Sequence, residues 1–246
     1  MYGIKPVFKF QTNIDKTIFE KSRCLLTISV GQEAHEGYKF GATIDLVNTA
    51  FESCILLIDD SLQRHSMALN KPEDADFFYH TSIVAGDAWL TRNKQYYQKL
   101  DCLEQIIRWD KWLKHPCYLE KQDQIKTLLS KDKDYQHSFD ETIAAFLKRN
   151  HHLRNGYFDD ENARRLCLDY LTEECAALCL WPEINAHFEV YPNKRNLAMT
   201  QTHQRFVLPQ FPQLLHPIAI KFKNRKQFKP QNFDFKGNTN ASVEKH

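Results

Sequence analysis

The sequence predicts an α/β fold, a parallel sheet flanked by helices, and three neighbouring segments carry that expectation. Residues 24–30 (Cys-Leu-Leu-Thr-Ile-Ser-Val) form a short β-leaning run bounded by Gly31. From Tyr38 to Phe51, the apolar residues Phe40, Ile44, Val47 and Phe51 recur at helical spacing. Residues 54–58 are an unbroken apolar run that stops at Asp59 and Asp60, the pattern of a strand buried on both faces. Strand, helix and strand make a βαβ unit. Ligands of such sheets bind beyond the carboxyl ends of the strands, which places segments 29–35 and 59–65 side by side at the expected site.

Further elements follow in order. A long helical pattern covers 75–100, and 105–109 reads as a third strand that leads into a mixed stretch with Trp109, Trp112 and Leu113. Helices are expected at 138–150 and 160–180, and strands at 187–190 and 218–222; segment 197–208 is ambiguous. Residues 223–246 are polar and basic and are expected to form a flexible tail. No repeat or Gly/Ser linker divides the chain, so one catalytic domain over 1–246 is expected.

Composition bounds the function. Of 246 residues, 42% are hydrophobic and 13% aromatic, with seven Gly and nine Pro, which excludes disorder and fibres. Lys and Arg number 33 against 31 acids, so a uniformly basic coat is excluded while a local basic patch is not. No segment reads as a signal peptide or membrane span. Seven cysteines without a C-x-x-C pair suggest reduced thiols in a cytoplasmic protein. Cys175, Cys179 and His187 are the best zinc candidates, but plain packing explains them better, and no metal is expected. No G-x-G-x-x-G or P-loop occurs, so dinucleotide or ATP binding by those loops has no support.

Several side chains could carry chemistry. Ser29 ends the first strand and enters a loop, where a nucleophile meets backbone N–H donors, or it merely ends the strand. Tyr170 and Glu174 lie four apart on one helix face that also holds Ala163, Leu166 and Ala177. Glu174 therefore either reaches solvent at the margin of an apolar stripe or is a buried carboxylate able to hold a substrate ammonium. Pro192 stops ladder pairing, which leaves Tyr191 at the rim of the sheet. His35 and His65 are loop residues that line the site or cap helices, and His151-His152 reads as a surface pair. Cations interleaved with aromatics, the pattern of a nucleic-acid contact, occur twice. Arg92, Lys94 and Lys99 flank Tyr96 and Tyr97; Lys221, Lys223, Arg225, Lys226 and Lys229 flank Phe222 and Phe228. A solvated helix face and a soluble tail are the alternatives.

The ordered set Ile28-Ser-Val-Gly-Gln32, His35-Glu-Gly37, segment 59–65 (Asp-Asp-Ser-Leu-Gln-Arg-His), Tyr170-x-x-x-Glu174 and Glu189-Val-Tyr-Pro192 resembles the cyclodipeptide synthases. Tyr191-Pro192, with Gln32 three residues after the serine, is similar to the branch with Tyr-Pro rather than Tyr-His. The resemblance implies a Rossmann-like domain similar to class I tyrosyl- and tryptophanyl-tRNA synthetases. It implies a serine, Ser29, that takes an aminoacyl group from one aminoacyl-tRNA as an ester. A second aminoacyl-tRNA then gives a dipeptidyl enzyme that cyclises and leaves, without metal, ATP or other cofactor. Tyr170 and Glu174 would position the first ammonium, and Tyr191 would support Ser29. Thr27, Gln32, Glu189, Pro192 and His65 would line the substrate site, with Glu189 favouring a polar or cationic side chain. The basic residues named above would meet tRNA, and a monomer would suit its access. A serine hydrolase using His35 or His65 and a non-catalytic tRNA-binding module are the competing readings.

Overall fold

The structure, a computed structural model, describes residues 4–10, 21–69, 71, 74–149 and 160–224. Strands β1 (Ile4–Phe10) and β2 (Arg23–Ser29) are followed by helix α1 (Gly37–Asn48) and strand β3 (Ser53–Asp59). Helices α2 (Arg64–Met67) and α3 (Ala75–Tyr97) lead to β4 (Leu103–Arg108), then α4 (Asp110–Leu113), α5 (Tyr118–Lys131), α6 (Lys133–Arg149) and α7 (Asp160–Leu178). Strand β5 (Phe188–Tyr191), helix α8 (Leu197–Thr202), a π-helical turn (His203–Val207) and β6 (His216–Asn224) complete the fold.

The six strands form one sheet in the order β1-β6-β5-β2-β3-β4, parallel throughout except for the β1–β6 pair. Both faces are covered. Alternate side chains of β2 and β3 divide between them: Leu25, Ile55 and Leu57 pack toward α5–α8, while Cys24, Leu26, Ile28, Cys54, Leu56 and Ile58 pack toward α1 and α3. Because strand side chains alternate with period two, Thr27, Ser29 and Asp59 fall on the face shared with α7. The chain runs from β2 outward to β3 and β4, then returns to β5 on the other side of β2. That reversal is the switch point at which doubly wound sheets open a crevice.

Two elements differ from the sequence expectation. β1 is an edge strand in which Lys5, Val7 and Lys9 alternate with apolar neighbours around Pro6, a pattern compatible only with an edge. The mixed stretch after Trp112 holds α5, whose fully buried residues are only Tyr118 and Ile125. The ambiguous segment 197–208 is helical, started by Asn196, whose side chain accepts a hydrogen bond from the Met199 N–H at 2.8 Å. Lys223, expected at the start of a tail, belongs to β6. Residues 225–246, including Arg225, Lys226, Phe228 and Lys229, and the His151-His152 pair lie outside the described residues.

Candidate active site

Ser29 is the last residue of β2, 6% exposed. The chain turns immediately at Gly31, whose φ of +90° suits only glycine, and the turn closes with the Gln32 N–H donating to the Ser29 carbonyl at 3.2 Å. The ring of His35 comes back beneath this turn. Its Nδ1 lies 2.9 Å from the Ser29 N–H and 3.1 Å from the Ser29 carbonyl, and its own carbonyl accepts the Trp89 indole N–H at 3.0 Å. Burial pushes His35 down to about 4, so it is a neutral imidazole at neutral pH. The Ser29 hydroxyl meets the Tyr191 phenol at 3.1 Å. Tyr191 ends β5, on the far side of the switch point.

Above these strand ends stands α7. The charge of Glu174 raises Asp59, that of Asp59 raises Tyr170, and Tyr170 packs its ring against His65 at 6.3 Å. Burial raises Glu174 to about 7, partly offset by the hydrogen bond that the Asn196 side chain donates to Oε2 at 3.2 Å. Of the two readings of Glu174, the buried carboxylate is the one found. Burial, followed by the fields of Glu174, Asp60 and Glu189, holds Asp59 well above the ordinary aspartate range. Burial likewise raises the phenols, Tyr191 to about 12 and Tyr170 well above the ordinary tyrosine range.

The neighbouring acids are neutralised from within. Glu189, 5% exposed, is gripped by Arg195, whose Nε donates to Oε2 at 2.8 Å. Its charge is therefore already matched within the chain. Glu173 receives Arg64 through two guanidinium nitrogens, the Trp109 indole N–H at 2.8 Å, and His65 Nε2 at 3.3 Å. Burial would raise Glu173; the hydrogen bonds from His65 and Arg64 overcome it and leave the carboxyl below the usual glutamate range. Asp60 pairs with Arg108, and α3 passes so close that a Cβ on Gly86 would lie 2.6 Å from Asp60 Oδ2.

The site therefore gathers Ser29, Tyr170, Glu174 and Tyr191, with Asp59 among them. Thr27 is buried one pleat below Ser29, 3.5 Å from the Val190 carbonyl, and Pro192 is buried after Tyr191. Gln32 is exposed on the turn. His65 buttresses Glu173, and neither it nor His35 hydrogen-bonds the Ser29 hydroxyl, so a Ser-His pair of the hydrolase kind is not formed. Sequence reading missed Arg195 and Asn196; the polar run directly after Tyr191-Pro192 was the available signal.

Of the basic residues, Lys94, Lys99, Lys221 and Lys223 are exposed, while Arg92 is tied to Glu36 at 3.0 Å. Of the interleaved aromatics, Tyr97 lies against Trp89 and Tyr96 against Phe40, each half-buried at the margin of the core. All seven cysteines are free, and no three metal-ligating side chains cluster among the described residues. Among the described residues no helix is long and apolar enough to cross a membrane.

A Rossmann-like sheet with a serine, two tyrosines and a buried glutamate gathered at its switch point defines a class: an α/β protein with a polar site at the carboxyl ends of its parallel strands. No protein-family model and no curated protein matches the chain. Solved structures do. A cyclodipeptide synthase from Fluoribacter dumoffii is 38% identical, with a TM-score of 0.86 over 90% of this chain and 100% of that one. The chain belongs to the cyclodipeptide synthases. The synthase from Candidatus Glomeribacter gigasporarum, bound to Phe-tRNA, shares the fold at 17% identity, with a TM-score of 0.71 over 87% and 93% of the two chains. So does a Mycobacterium tuberculosis protein at 12% identity and a TM-score of 0.63 over 89% and 94%, whose structure relates the family to type I tRNA synthetases.

Proposed function

We propose that this chain joins two amino acids, each delivered as an aminoacyl-tRNA, into a cyclic dipeptide by way of an ester on Ser29. The observation that carries the reading is the Ser29 hydroxyl, set at the switch point 3.1 Å from the Tyr191 phenol and beneath the buried Glu174, which has no ion-pair partner among the described residues. In the first step Ser29 Oγ attacks the ester carbonyl of one aminoacyl-tRNA, and its proton passes to the departing tRNA hydroxyl. Glu174 holds the ammonium, assisted by Tyr170. For a dipeptidyl enzyme to form, the α-amine held on Ser29 must attack the second tRNA ester and release the second tRNA hydroxyl. The new terminal amine then attacks the Ser29 ester, closes the ring and frees Ser29. Both substrates arrive activated as esters, so the scheme draws on no ATP. Tyr191-Pro192 and Gln32 support assignment to the Tyr-Pro branch.

The exposed Lys94, Lys99, Lys221 and Lys223 are the proposed tRNA contacts, with Arg92, Arg225 and Lys226 as further cations of the same segments. Thr27, Glu189 and Pro192 belong to the wall of the first aminoacyl pocket, and Gln32 and His65 to its rim. Mass spectrometry of medium from cells expressing wild type or Ser29→Ala tests the reading. Cyclic dipeptides present only with wild type support it and name both amino acids. Their absence from both cultures, with folded protein confirmed, refutes it.

A further inference from the structure

Around the strand ends, Glu173, Asp60 and Glu189 each have an arginine: Arg64, Arg108 and Arg195. Asp59 and Glu174 have no ion-pair partner among the described residues. A reaction that begins with substrate ammonium groups supplies the missing cation, and Glu174 alone accounts for one carboxylate of the pair.

Asp59 is the more isolated of the two. It is 5% exposed, and Oδ1 has no hydrogen-bond partner among the described residues. The β2–β3 register sets it directly opposite Ser29, whose side chain favours its ionised form. Ionisable groups face it from each neighbouring element. They are Ser29 from β2, Glu189 and Tyr191 from β5, Tyr170 and Glu174 from α7, and its own neighbour Asp60, bound to Arg108 of β4. An aminoacyl group esterified to Ser29 carries its α-nitrogen three bonds from Oγ, hence within roughly 3.5 Å of it. That nitrogen has to lie among these acids.

We propose that Asp59 is a catalytic base of the second half-reaction, taking a proton from the α-ammonium of the aminoacyl group held on Ser29. The proposal rests on the synthase reading above. One N–H bond of the ammonium breaks and its proton binds Asp59 Oδ1. The freed lone pair attacks the carbonyl carbon of the second aminoacyl-tRNA ester, the C–O bond to tRNA breaks, and the departing tRNA oxygen takes the second amine proton. Asp59 returns its proton to solvent before the next cycle. The division of labour follows from the contacts. Asn196 fixes one oxygen of Glu174, which anchors the ammonium, while Oδ1 of Asp59 is open to accept. The burial and like charges that make Asp59 reluctant to ionise also bring its proton affinity toward that of an amine, where general bases work best. The docked ammonium supplies the positive charge that ionises it.

The test is a single-turnover measurement with aminoacyl-tRNA carrying a labelled amino acid, following both protein-bound label and cyclic dipeptide. Asp59→Asn, which keeps the side-chain shape, is expected to acquire label within a few-fold of the wild-type rate. Its cyclic dipeptide formation should fall by about 100-fold and recover as pH rises and solvent deprotonates the amine. Asp59→Ala, confirmed folded by its melting temperature, should show the same block should the asparagine variant not fold. Equal loss of both steps would overturn the proposal in favour of a role in orienting Ser29, and wild-type dipeptide rates with an unchanged pH profile would overturn it outright. Wild type that never acquires label would remove the synthase reading first, and this proposal with it.

Discussion

The Tyr191 phenol lies 3.1 Å from the Ser29 hydroxyl, and that hydrogen bond spans the switch point, tying the ends of β5 and β2 together. Burial lifts Tyr191 to about 12, so it remains a phenol at neutral pH and acts on Ser29 as a hydrogen-bond partner rather than as a base. Tyr191→Phe removes one such bond, worth about 1 kcal/mol. Ester formation on Ser29 is expected to slow by roughly five- to tenfold with the fold unchanged. Single-turnover labelling measures it, and a wild-type rate would remove this role.

Neighbouring glutamates on α7 should respond oppositely to the same change. Glu173→Gln leaves the Arg64 cation without its carboxylate in a buried site and is expected to cost about 3–5 kcal/mol. The folded value of Glu173 is depressed, so the stability it contributes is complete above the ordinary glutamate range and is lost as pH falls through that depressed value. Glu174 is raised from 4.5 to about 7, so its charge opposes folding above pH 7 and has no effect below 4.5. Glu174→Gln is therefore expected to stabilise the fold by about 1–3 kcal/mol at pH 8 while losing activity. That gain should vanish near pH 4. Denaturant melts of both variants across pH decide the matter; parallel behaviour would mean that Glu174 is solvated.

The segment from β2 to β3 was legible because its apolar residues follow the periods of strand, helix and fully buried strand in turn. β1 was not, since Pro6 and alternating lysines weaken a strand pattern that only an edge tolerates. Tyr170 and Glu174 were readable as neighbours on one helix face, but Glu173 was not readable as the ion-pair acceptor. Its partner Arg64 lies 109 residues away, and no local period reports a contact of that separation. Arg195 escaped for the converse reason: it sits six residues from Glu189, across an irregular turn that has no period at all. The packing of the aromatics between Arg92 and Lys99 was not legible, because a cation–aromatic alternation on a helix looks alike whether the rings face outward or lie against Trp89 and Phe40.

Glu189 and Arg195 should behave as a unit. With side chains only 5% and 2% exposed, removing either partner strands a buried charge. Glu189→Leu and Arg195→Met are each expected to destabilise the protein by about 3–5 kcal/mol, and the double variant by much less. The double variant turns a polar pocket wall apolar, so its cyclic dipeptides should shift toward apolar residues. Thermal melts and mass spectrometry of the three variants check both points, and additive losses in the double variant would show that the pair is not coupled.

A cation that already holds a carboxylate has less to give a phosphate. Arg92 is paired with Glu36, whereas Lys94 on α3 and Lys99 in the turn after it are exposed and have no carboxylate partner among the described residues. On the outer ribbon, Lys5 stands opposite Lys223, while Lys221 and then Lys194 hold Lys9 below the usual lysine range, as crowded like charges do. Bound tRNA would relieve that repulsion, and each lysine that meets a phosphate should release about one counterion. Lys94→Ala/Lys99→Ala and Lys221→Ala/Lys223→Ala are each expected to weaken aminoacyl-tRNA binding and to lower the slope of log affinity against log salt by about 1–2, with Arg92→Ala changing it less. Filter binding between 50 and 200 mM salt, roughly the range over which such contacts respond, separates the two faces. A slope that falls for one pair alone assigns the tRNA to that face. Unchanged slopes for both would place the tRNA on neither.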